Sequence, residues 1–176
     1  DSMAEHERIR IHRRIAQDCV RHAEEAGESL QDVIFVVIHH LDASEALGFA
    51  DAAEPLRAAG YYCMGGRKAL DSAAYQAAAD ALRRGVDLLP EDCWTTCPEL
   101  TRNLHELSAE AEHLCSRNEY SVQLVETILA HTPDALSRLP AYEIYLRALI
   151  ALGDMPQVVE IGLRALSSLG YEIPGN

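Results

Sequence analysis

The residues most able to do chemistry in this chain lie in "PEDCWTTCPEL", residues 90 to 100, where Cys93 and Cys97 flank Trp94, the only tryptophan. Two thiolates could serve zinc, but a structural zinc site takes four ligands, usually in close pairs such as C-x2-C and H-x3-H. The nearest further candidates, His105, His113 and Cys115, fall on one expected helix, and Cys97 lies eight residues from His105. Eight residues are about two helical turns, too far along the axis to share an ion, so no metal is expected. A redox couple normally uses C-x-x-C at a helix start, whereas this is C-x3-C, with Cys97 expected in a first turn and Cys93 in a loop. Cys93 and Cys97 therefore remain candidates for a thiol sensor. The simpler expectation is a loop and helix cap, with Trp94 packed into the groove between helices.

Other groups offer less. His39 and His40 are adjacent, so on a helix they point about 100° apart and cannot chelate one ion together. His6, His12, His22 and His131 are scattered, none beside a cysteine or carboxylate in a nucleophile or metal spacing. "GGRKAL" at 65–70 places glycines before Lys68 but lacks the G-x4-G-K-[ST] pattern and a preceding strand, so no phosphate loop is expected. Gly65 and Gly66 read instead as a break between helices. Glu24 and Glu25, like Glu110 and Glu112, read as solvated helix faces with no acid–base pairing. No catalytic residue and no cofactor site is expected, and the chain reads as a non-enzyme. Tyr61, Tyr62, Tyr75, Tyr142 and Tyr145, together with Trp94, are candidates for packing or for lining a peptide groove.

The elements that position these residues are helical. Alanine and leucine recur at helical spacing, and β-branched, aromatic-rich runs are nearly absent. Helices are expected over 4–25, 30–43, 51–64, 68–89, 97–116, 119–131 and 138–152, and from Asp154 to Gly170. "VIFVVI" at 33–38 is where a strand competes, but the apolar stripe Val33, Ile34, Val37, Ile38, Leu41 favours helix. Capping patterns are expected at Ser29 with Asp32, Thr96 with Glu99, and Asp154 with Gln157. Four antiparallel pairs follow, with similar punctuation in "GGRKAL...LLP", "SRNEYS...AHTP" and "LGDMPQ...LGYEIP". A period in the thirties to forties suggests an all-α solenoid in which each pair buries its apolar face against its neighbours.

Composition sets limits. The 176 residues carry 15 Lys+Arg against 28 Asp+Glu, a net charge of −13, which opposes binding to nucleic acid or an anionic membrane. No apolar run reaches membrane-span length, and five scattered cysteines do not suggest a secreted disulfide framework. A cytoplasmic location with reduced thiols is the expectation. The opening Asp-Ser-Met reads as an arbitrary start, so residues 1–176 are expected to be one helical-repeat domain of a larger protein.

"LRAAGYYCMGGRKALDSAAYQAAADALRRGVDLLPEDCW" (56–94), "AEAEHLCSRNEYSVQLVETILAHTP" (109–133) and "AYEIYLRALIALGDMPQVVEIGLRALSSLGYEIP" (141–174) carry a resemblance, as do "IHRRIAQ" (11–17) and "VIFVVIHHLDAS" (33–44). They resemble the helical region of large multidomain signalling ATPases of the AAA or STAND type, which often also carry Ser/Thr kinase, GAF and histidine kinase domains. The resemblance implies a tetratricopeptide-like right-handed superhelix downstream of a P-loop module that this chain does not include. It implies a non-catalytic scaffold that binds a protein or peptide partner and couples it to neighbouring domains. It assigns no duty to "LLPEDCW" and no role to Cys97. A thiol redox sensor or a small-molecule sensor is the alternative, and the oligomeric state is left open.

Overall fold

Among residues 2–171, which the computed structural model describes, every regular element is helical. The order is α1 (Ser2–Ala26), α2 (Leu30–Asp42), α3 (Glu54–Asp71), α4 (Tyr75–Asp87), the single turn α5 (Cys93–Thr96), α6 (Pro98–Leu114), α7 (Asn118–His131), α8 (Leu139–Leu152) and α9 (Met155–Ser168). Short 3-10 turns occupy Glu45–Leu47 and Leu136–Arg138. "VIFVVI" is helical inside α2, with Ile34 and Val37 buried on the stripe that its period defines.

Each long helix packs on the next, and α3 also meets α6 as α6 meets α8. Four turns join the helices of successive pairs with one geometry. Gly27, Ala73, Ser116 and Gly153 take φ of 67°, 57°, 62° and 77°. The following N–H donates five residues back in each: Glu28 to Ala23 (2.9 Å), Ala74 to Ala69 (2.8 Å), Arg117 to Glu112 (2.8 Å), Asp154 to Leu149 (3.1 Å). This left-handed cap returns the chain sharply while satisfying a carbonyl of the last turn. The four turns are thus alike in geometry although their residues differ.

The expected break at Gly65-Gly66 is not there. α3 runs through both glycines to Asp71, and the turn falls at Ser72–Ala74, so α4 begins at Tyr75 rather than residue 68. The glycines serve close packing. A Cβ on Gly65 would stand 2.9 Å from Ile38 Cδ1, and one on Gly66 would run into the Leu82 side chain. Gly85 of α4 is similarly tight, 2.6 Å from Leu104 Cδ2 to the missing Cβ. The central core is accordingly small-residue packing: Ala59, Ala69, Ala78 and Ala79 around Leu82 and Leu104. Towards the C-terminus the core changes to larger residues, among them Ile128, Tyr142, Tyr145, Leu149 and Ile161.

The capping expectations divide. Asp154 accepts from the Gln157 N–H at 3.1 Å, as its spacing suggests. Ser29 stands at the N-cap of α2 without a side-chain cap bond. Thr96 closes α5 instead of opening α6; its hydroxyl donates back to the Asp92 carbonyl (3.2 Å), and Cys97 is the N-cap residue of α6. Glu112 also departs from expectation: it is 1% exposed, receiving Arg83 Nη2 at 2.8 Å and Arg117 Nε. Two guanidiniums from α4 and the turn before α7 make burial of that carboxylate tolerable.

Candidate functional site

Small residues open a groove between several helices near the N-terminal end. Ala16 and Val20 of α1 face Ala58 and Tyr61 of α3 across Val37 and Leu41 of α2, leaving a chamber of about 300 Å³. α1 makes no contact with α3 comparable to the α3–α6 and α6–α8 contacts, so the chamber stays open. A second chamber of about 590 Å³ adjoins it, reaching from Arg13 and Phe49 to Leu88 of α4. The two share Leu41, Glu54 and Ala58.

Charged groups shape the walls. Glu54, at the start of α3 and 9% exposed, accepts the Ala50 N–H and lies 3.8 Å from Arg13 Nε. Arg13 also donates to the Gly48 carbonyl, which holds the segment between α2 and α3 against α1. Tyr62 donates to Asp42 at 2.5 Å, and Arg84 of α4 reaches Asp42 (3.3 Å) and Glu45 (3.1 Å). Burial, then the hydrogen bond to the Asp42 carboxylate, pushes the Tyr62 hydroxyl far above its ordinary range. The phenol is a fixed donor, not an acid. Arg13 Nε is buried and has no hydrogen-bond partner.

No family model matches this chain, and no curated protein or solved structure matches it.

The candidate aromatic residues do not converge. Tyr61 and Tyr62 line the two chambers, whereas Tyr75 borders a smaller hollow with Arg67 and Leu107. Tyr142 and Tyr145 are buried in the C-terminal core, Tyr145 donating to Glu126 at 2.8 Å. Trp94 packs at the edge of that core between two histidines: stacked on His131 (centroids 4.7 Å, planes 8° apart) and tilted against His105 (4.9 Å). Burial lowers the pKa of His105, the hydrogen bond to the Thr101 carbonyl (2.8 Å) opposes that, and His131 adds to it.

Cys93 is buried and opens α5 rather than lying in a loop; Cys97 is half-buried, its Sγ 3.5 Å from the Thr101 hydroxyl. Both are free thiols. Among the described residues no cluster of three or more His, Cys, Asp and Glu side chains has the arrangement of a metal site. His39 and His40 gain an unexpected third ring: His12 Nδ1 lies 2.7 Å from His40 Nδ1 across the α1–α2 pair. No helix among the described residues is long and apolar enough to cross a membrane.

Sequence reasoning missed most groove residues, Arg13, Glu45, Glu54 and Arg84 among them, since helical charges at unrelated spacings carry no local signal. The His12–His40 contact had one: the two positions are nearly equidistant from the turn at Gly27, as facing residues of a helix pair must be.

Proposed function

We propose that this chain is a non-catalytic protein-interaction module, a tetratricopeptide-like solenoid of antiparallel helix pairs that holds a segment of a partner protein in the α1–α3–α4 groove. The observation that carries this reading is that groove: two adjoining chambers with an apolar floor, polar walls and fixed donors, formed where α1 and α3 lack a contact comparable to those of α3 with α6 and α6 with α8. Such surfaces suit extended segments, because repeated helix pairs present a continuous face rather than a closed pocket. The resemblance to the helical region of signalling ATPases supports a place beside catalytic domains. Small changes in helix packing at the groove would then bias those neighbours.

A photo-crosslinking residue at Gln17 or Tyr61, within the groove, tests the reading against one at Glu143, whose side chain is 74% exposed on α8. In lysate of the source cells, partner proteins crosslinked from the groove positions and not from 143 are the expected result. Equal capture from all three, or none from the groove, overturns it.

A further inference from the structure

Charge around the groove limits what it could hold. Five arginines line the two chambers, and every one already has a carboxylate: Arg13 with Glu54, Arg21 with Asp18 (2.6 Å), Arg57 with Asp51 (3.0 Å), Arg83 with Glu112 (2.8 Å), Arg84 with Glu45 (3.1 Å). Arg84 has Asp42 as a second partner and Arg83 has Asp80. Two lining carboxylates have no such partner, Glu24 in the smaller chamber and Asp87 in the larger. The arginines are therefore spent on the protein's own acids. The unpaired charge is negative, one carboxylate in each chamber, on a chain of net charge −13.

We infer that the groove binds an extended segment with basic residues at both ends and apolar residues between, its cations meeting Glu24 and Asp87 and its apolar side chains resting on Val20, Leu41 and Tyr61. This rests on the interaction reading above and adds the partner's chemistry to it. The α1 wall from Arg13 to Glu24 is about 16 Å long at 1.5 Å per residue. It accommodates about five residues of extended chain. Arg13 Nε, buried and facing Glu54 at 3.8 Å, adds no free cation to the groove. An acidic segment would leave every arginine choosing between it and an existing partner, while adding to the repulsion from Glu24 and Asp87.

The test uses a fluorescein-labelled peptide with a lysine at each end and leucines between, about five residues long, titrated by anisotropy, with its lysine-to-glutamate counterpart. Glu24→Lys with Asp87→Lys is compared with Glu143→Lys with Glu160→Lys, which shifts net charge equally on exposed faces of α8 and α9. The groove pair is expected to weaken lysine-peptide binding by about tenfold or more and the distant pair by less than about twofold. Equal loss in both, or equal binding of the glutamate peptide, overturns the inference. Unchanged melting of each variant establishes that the fold survives. If the basic peptide fails while groove crosslinks persist in Glu24→Lys/Asp87→Lys, the charge inference alone falls; if both fail, the interaction reading falls with it.

Discussion

Between α1 and α3 a groove lies open, whereas α6 and α8, which follow one another in the same way two pairs later, meet directly. Each seam has two tyrosines on its second helix. Tyr142 and Tyr145 are three apart, share one face of α8, and are 4% and 3% exposed. Tyr61 and Tyr62 are adjacent and therefore point about 100° apart, so only Tyr62 enters the core while Tyr61 stands at the groove wall. Spacing decides whether an aromatic pair fills a seam or leaves it open. Small residues on both walls, Ala16 of α1 and Ala58 of α3, complete the difference.

The comparison breaks most visibly with truncation. Leu149→Ala in the closed half removes a side chain that is 2% exposed and should cost about 2–5 kcal/mol. Tyr61→Ala, which removes a groove wall already partly in water, should cost less than about half as much. Urea unfolding of the two variants measures both. Equal losses would mean that the groove side is packed as tightly as the C-terminal core.

Small-to-large changes should reverse the ranking. Gly66→Val drives a side chain into Leu82 and is expected to cost about 1–3 kcal/mol. Gly162→Ala in α9 meets nothing within 4 Å and should instead stabilise by about 0.5–1 kcal/mol through helix propensity. Thermal melting separates the two by sign.

The same glycines show what the sequence could and could not reveal. Helices were legible because alanine, leucine and proline carry period and boundary information; α2 and the cap at Asp154 follow directly from spacing. The Gly65-Gly66 break was misread because a glycine needed for close approach looks identical to one needed for a turn until its neighbour is known. The true turn at Ala73, like that at Ser116, uses a residue with a Cβ in the left-handed region, and nothing in composition announces it. Groove and histidine contacts were hidden for another reason: they join residues up to 39 positions apart, as Arg84 and Glu45 are. Those turns give a further test spanning both halves. Ala73→Gly and Ser116→Gly should each stabilise by about 1 kcal/mol, and Gly153→Ala should destabilise by about as much. A Gly gain at 73 but not at 116 would show that the repeated turn is strained in one half only.

The smallest expected difference is in pH dependence. Burial, then the positive charge of His12 and His39, lowers the pKa of His40 in the first pair. His105 is lowered chiefly by burial beside Trp94, against the opposing hydrogen bond to Thr101. In both cases the folded chain binds a proton less readily than the unfolded chain, whose histidines titrate near about 6.5. The stabilising contribution is therefore complete above that value and declines as pH falls from it towards the folded pKa values. The 2.7 Å His12–His40 contact adds to the sensitivity, since one ring nitrogen must donate and the other accept, and a second proton removes the acceptor. His105→Gln should flatten the fall in unfolding free energy between pH 7 and 5.5 most, because that ring is 8% exposed, and His40→Gln less. The opposite order would place the tighter proton exclusion in the α1–α2 pair and reverse the comparison between the open and closed halves.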